Sequence, residues 1–136
     1  MSVTIQTLQQ ALTDHFAPWV QDLGLQVVSA DTDGVCVRLP QSDQLFRVGG
    51  VLCGQAMMAA ADTAMVLALI QHFGEFRPCT TVQLNSSFLK PLSGQDALVV
   101  ARVLRAGKSL AFGEIDLRGA QDGKSVCRVS TTYALL

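Results

Sequence analysis

The stretch Gly49-Gly50-Val51-Leu52-Cys53-Gly54-Gln55-Ala56-Met57-Met58-Ala59-Ala60-Ala61-Asp62-Thr63-Ala64 continues apolar to Phe73-Gly74, and Asp62 is the only Asp, Glu, Lys or Arg between Arg47 and Glu75. Alanine, methionine and leucine dominate it, and these residues lose little side-chain freedom in a helix. The composition predicts a helix opening at Gly49-Gly50 and ending near Phe73, with Gly74 as its left-handed C-terminal residue. About 20 residues at 1.5 Å each make it roughly 30 Å long. Being apolar nearly all round, it must be covered on nearly all sides. The length would also suit a membrane span. However, a carboxylate at the centre costs roughly 2.5–3.5 kcal/mol on insertion scales, and much of the stretch is alanine. A buried helix in a soluble protein is the expectation.

Upstream, Ile5, Leu8, Leu12, Phe16, Val20 and Leu23 recur at three- and four-residue steps, which predicts a helix over 4–23. Thr4 is its candidate cap, and Pro18 breaks or kinks its second half. Leu25, Val27 and Val28 lead into the turn Asp31-Thr32-Asp33-Gly34, after which Val35, Val37 and Leu39 alternate with Cys36 and Arg38. This reads as a hairpin followed by a polar loop, 40–48. Downstream, 80–89, 97–104, 109–117 and 125–136 read as strands, joined by Arg105-Ala106-Gly107 and Gln121-Asp122-Gly123. Tight turns between consecutive strands make an antiparallel meander. The expected class is α+β: an antiparallel sheet of five to six strands around one long helix, preceded by an N-terminal helix, in a single domain over 1–136.

The chain has 136 residues, of which 49% are hydrophobic and 15% charged, where a quarter charged is usual. The apolar surplus predicts surface covered by another copy. A net charge of −1 with no basic block leaves nucleic acid no electrostatic footprint. Cys36, Cys53, Cys79 and Cys127 have no CxxC spacing and read as reduced thiols. The start MSVTIQTLQQ lacks the basic and apolar regions of a secretory signal, so a cytoplasmic protein is expected.

Chemistry concentrates at the central stretch. Free N–H groups and the dipole at a helix start favour a developing negative charge, although glycines there also suit a plain turn. Burying the Asp62 carboxylate is costly unless it is hydrogen-bonded or used; a structural role and a catalytic one are both open on this ground. Gly54 and Asp62 lie roughly 12 Å apart along one helix. One reacting carbonyl meets both only if two helices lie antiparallel, so an active site here would be shared between subunits. Cys53, at a helix start that lowers thiol pKa, is a weaker candidate nucleophile, because no histidine lies near it in sequence. His15 and His72 read as surface or capping residues. No ligands cluster for a metal.

The stretch resembles the hot-dog thioesterases, and within them the phenylacetate-degradation (PaaI-type) group, with its glycine-rich entry and its aspartate in an Ala-Asp-Thr-Ala setting. Thr80-Thr81-Val82-Gln83-Leu84-Asn85-Ser86-Ser87-Phe88-Leu89-Lys90-Pro91 is similar to that family's next strand, and Ala106-Gly107-Lys108-Ser109-Leu110-Ala111-Phe112 to its following hairpin. The likeness covers about two-thirds of the chain, from Phe46 onward. It implies hydrolysis of an acyl-CoA thioester by a homo-oligomer, a dimer or dimer of dimers, with no cofactor beyond the coenzyme A of the substrate. It implies Asp62 as general base or nucleophile, the Gly54 N–H as the group polarising the carbonyl, and Thr81 as a hydroxyl holding the attacking water. Arg105, Gly107 and Lys108 match the run of the CoA arm. Gln55 and Met58 fall at substrate-facing positions of the first turns, where methionine adapts to an acyl group. Arg47 and Cys53 stand where many members carry an Asn and a His. That departure keeps a non-catalytic acyl-CoA-binding module as the alternative. A dehydratase of this fold would need a histidine in the site, and none is placed for it.

Overall fold

A computed structural model describes residues 3–136. In chain order its elements are α1 (Ile5–His15), α2 (Pro18–Gln21), β1 (Gln26–Asp31), β2 (Gly34–Leu39), a 3-10 turn (Asp43–Leu45), β3 (Phe46–Arg47), β4 (Val51–Leu52), α3 (Gly54–Phe73), β5 (Cys79–Phe88), β6 (Ala97–Ala106), β7 (Leu110–Gly119) and β8 (Ser125–Leu135). Six strands form one antiparallel sheet in the order β1-β2-β6-β7-β8-β5. The expected meander is β6-β7-β8, and β5 pairs outside β8 as a sheet edge.

The sheet wraps α3. Ala60, Ala61, Ala64, Met65 and Leu67 of the helix are fully buried, as are Val35, Val37, Val99, Ala101, Ala111 and Leu117 of the strands. The helix is long and apolar enough to cross a membrane, with a mean hydropathy of 1.4, but 61% of that window is buried within the fold. Its end is the expected one: Gly74 has φ 81°, and its N–H donates to Ile70 O at 2.8 Å. Met65 of the helix packs directly onto Gly113 of β7, where an ideal Cβ would lie 2.3 Å from both its Sδ and its Cε.

Three boundaries differ from expectation. The N-terminal helix stops at His15, and Pro18 opens the separate four-residue α2 at its N1 position, where the missing N–H costs nothing. Gly49 and Gly50, with φ of 101° and 73°, do not open the long helix. They turn a small ribbon in which Val51 and Leu52 pair with Arg47 and Phe46, within what read as loop and helix. Arg105 belongs to β6, paired with Phe112 beside a bulge, and the turn is Gly107-Lys108-Ser109. The expected Thr4 cap is present, accepting from Thr7 N at 3.0 Å. Gln9 ties α1 to the sheet edge: its amide accepts from Val27 N at 2.8 Å and donates to Leu25 O at 3.1 Å.

Candidate active site

Asp62 projects from the middle of α3 toward the β5–β8 pair and is half-buried. Thr81 of β5 and Tyr133 of β8 are direct register partners, so their hydroxyls lie side by side beneath the helix. Thr81 Oγ1 donates to Asp62 Oδ1 at 2.8 Å. The Tyr133 hydroxyl donates to the same Oδ1, and it also lies 2.8 Å from the Asp62 carbonyl oxygen. Among the described residues, Oδ2 accepts no hydrogen bond, and it is not one of the sealed unpartnered polar atoms. No Lys, Arg or His of the described chain forms an ion pair with Asp62. Both available donors thus hold one oxygen and leave the other open.

Tyr133 is 2% exposed. Burial first, then the Asp62 charge, hold its phenol well above its ordinary pKa, so it stays a proton donor. Cys79, beside them, has its thiol pushed up by burial and then by Asp62, which makes it a poor nucleophile. A cavity of about 280 Å³ opens at this cluster, lined also by His15, Phe16, Trp19, Val66 and Phe76. The His15 and Phe76 rings stack with centroids 3.8 Å apart. His15, read as a surface or capping residue, is exposed and also forms part of this wall.

Gly54 stands at the start of α3, two turns before Asp62. The helix has no side-chain cap, so the first-turn N–H groups are free of one, and an ideal Cβ at Gly54 would meet the Phe88 ring at 3.2 Å. Cys53 is the half-buried N-cap, its N–H donating to Leu45 O at 2.9 Å. Arg47 is exposed, and its guanidinium reaches only the carbonyl of Val48, at 3.2 Å. Gln55 is exposed and Met58 half-buried on the first turns of α3; Arg105, Gly107 and Lys108 are exposed around the β6–β7 turn. None of these lines the Asp62 cavity of its own chain. The structure therefore brings Asp62 and Thr81 together and keeps the other candidates apart from them. It adds Tyr133, which the sequence reading passed over.

The profile of the thioesterase superfamily matches residues 49–126, more than half of the chain. The chain belongs to the thioesterase superfamily. Acyl-coenzyme A thioesterase 13 of Homo sapiens is 27% identical over 105 residues, covering 76% of this chain and 74% of that one. The crystal structure of zebra fish thioesterase superfamily member 2 superposes with a TM-score of 0.86 at 26% identity, over 99% of this chain and 100% of that one. The PaaI protein of the E. coli phenylacetic acid degradation operon shares the fold, with a TM-score of 0.82 at 19% identity, over 97% of this chain and 93% of that one. The hot-dog fold and the PaaI-type resemblance are thereby borne out. For a thioesterase-superfamily chain, the matched span holds Gly54, Asp62 and Thr81 but stops before Tyr133.

Proposed function

We propose that this chain hydrolyses an acyl-CoA thioester to the free acid and CoA. The observation that carries the reading is a lone carboxylate, oriented by two hydroxyls through one oxygen and open to a cavity through the other. Asp62 takes a proton from water, and the hydroxide oxygen bonds to the thioester carbonyl carbon. The oxyanion is held by the Gly54 N–H of a second copy. Collapse breaks the C–S bond, and the CoA sulfur leaves with the proton held by Asp62. Thr81 donates its only hydroxyl proton to the carboxylate, so what it offers the water is a lone pair.

Two features support a site completed by a second copy. Gly54 and Asp62 share one straight helix and lie roughly 12 Å apart. The free edge β5 carries Thr81 near one end and Phe88, which packs against Gly54, at the other. Val82, Phe88 and Leu89 there are 60%, 51% and 56% exposed, and an antiparallel second copy along β5 would cover them. Such a copy would bring the helix start of each chain to the Asp62 of the other. Arg105 and Lys108 would meet the CoA phosphates as charge-assisted partners, near the Gly107 turn. The acyl group would enter the aromatic-walled cavity, whose volume of about 280 Å³ falls just below the usual range for ligand pockets, about 300–1,000 Å³, and so suits short or single-ring acyl groups. The chemistry uses no metal or further cofactor, and four unpaired thiols suit a cytoplasmic setting.

The test is a hydrolysis screen over short, medium and aromatic acyl-CoAs, with Asp62→Asn measured beside wild type for turnover and thermal midpoint. The expected result is a folded, CoA-ester-binding Asp62→Asn protein with no turnover. A stable and fully active variant overturns the mechanism. A wild type that binds acyl-CoAs and hydrolyses none identifies a binding module, the reading that Arg47 and Cys53 keep in play.

A further inference from the structure

We infer that Tyr133 is a positioning residue for the reaction, holding Asp62 by Oδ1 so that Oδ2 is the oxygen that meets the reacting water. This rests on the hydrolase reading of the same site. A carboxylate free to rotate presents either oxygen. Here the Tyr133 and Thr81 hydroxyls both donate to Oδ1, which fixes the plane of the group and withdraws charge from one oxygen only. The phenol oxygen also lies 2.8 Å from the Asp62 backbone carbonyl oxygen, which places the hydroxyl directly against the helix at this residue. Tyr133 itself cannot wander: it is 2% exposed, and its register partners are Thr81 on one side and Ala111 on the other. A buried phenol needs a hydrogen-bond partner, and this one has spent its proton on the only carboxylate in the cavity.

The consequence is an unequal pair of carboxylate oxygens: Oδ1 is engaged by two donors, and Oδ2 keeps its lone pairs for the water. The other titratable groups at the cavity are Cys79 on β5 and His15 at the end of α1, so the measurement has to be specific to the Asp62 carboxylate.

Tyr133 is the only tyrosine of the chain, so it can be perturbed in two opposite directions. Tyr133→Phe removes the donor and keeps the ring. Biosynthetic replacement of tyrosine by 3,5-difluorotyrosine labels this position alone and makes the donor stronger. The experiment records the Asp62 carboxylate stretching bands by isotope-edited infrared difference spectroscopy against Asp62→Asn, together with kcat and KM on an acyl-CoA that wild type hydrolyses. Donors on one oxygen only make the two C–O bonds unequal and separate the bands. Tyr133→Phe should bring the bands closer together, with kcat falling about tenfold or more and KM little changed. Difluorotyrosine should move the bands further apart. Bands that stay put, or move the same way in both proteins, overturn the assignment, since packing alone has no sign to reverse. Should Tyr133→Phe fail to fold, the fluorinated protein decides alone: a wider separation supports the assignment and an unchanged one overturns it. A wild type that hydrolyses no thioester refutes the hydrolase reading and leaves the hold on Asp62 to be judged by the bands.

Discussion

Adding one methyl group at Gly113 should damage both stability and catalysis, because Met65 of α3 packs directly against this position. An ideal Cβ there lies 2.3 Å from Sδ and Cε of Met65 and 2.9 Å from the Arg102 carbonyl oxygen. The carbonyl belongs to the β6–β7 pairing and cannot retreat. Met65 is flexible, but it is fully buried, so its end has no open space to swing into. Overpacking of this kind costs about 1–3 kcal/mol, which lowers the melting temperature of a chain this size by roughly 3–15 °C. Asp62 sits one turn before Met65, so lifting α3 from β7 also draws the carboxylate away from Thr81 and Tyr133, and turnover of the folded protein should fall. The assay is a thermal and denaturant double-mutant cycle of Gly113→Ala with Met65→Leu. Leucine is shorter at the clashing end, so the double variant should recover about 0.5–3 kcal/mol relative to additivity. A Gly113→Ala protein as stable as wild type, or a strictly additive cycle, would refute the argument that this contact sets the depth of the helix.

Thr81→Ala should lower turnover by less than Asp62→Asn does: one hydrogen bond is worth about 0.5–1.5 kcal/mol, whereas a general base is worth about 10²–10⁴-fold. Equal losses in folded proteins would show that Thr81 does more than hold Oδ1. Static light scattering should find at least a dimer at micromolar concentration, and a monomer with full turnover would end the shared-site proposal. Stability should decline in alkali. Burial and then Asp116 push the Cys127 thiol up from 9.0 to about 11, and Tyr133 is raised as well, so the native state holds these protons more tightly than the unfolded chain. The Cys127 contribution, about 2–3 kcal/mol, is fully present below about pH 9 and is lost as pH rises through about 11; that of Tyr133 is fully present below about pH 10 and declines only above it. Urea midpoints across that range should fall less steeply for Cys127→Ala; an identical slope would show that another group governs the decline.

The long helix and the meander were legible because composition and turn chemistry act locally. An apolar run closed by Gly74 and strands cut by Asp122-Gly123 carry their own signals. Gly49-Gly50 misled for an equally local reason. Val51 and Leu52 extend the apolar run without a break, yet they are strand residues held by Phe46 and Arg47, and hydropathy does not distinguish a buried strand from the first turn of a buried helix. Pro18 was readable as a break, but not as the start of a second helix.

The candidate site was legible in its carboxylate and illegible in its orientation. Asp62 stood out by charge alone. Which threonine faces it depends on a bulge. Leu84 and Ser86 are partly buried, and counting back from them by twos along β5 puts Val82 and Thr80 toward the helix and Thr81 away. The register shift between Thr81 and Gln83 inserts one residue and reverses that parity, so that Thr81 turns inward while Val82 is left 60% exposed. Thr80 and Thr81 are the same residue type, so no pattern in composition separates them. The same pairing brings Tyr133 opposite Thr81. A tyrosine in a terminal strand whose alternate residues are buried does announce the need for an acceptor, and Asp62 was the one carboxylate inside the long apolar stretch. That deduction was available from residue types, but the register was not. The bulge is what turns two hydroxyls, remote in sequence, toward a single oxygen of Asp62.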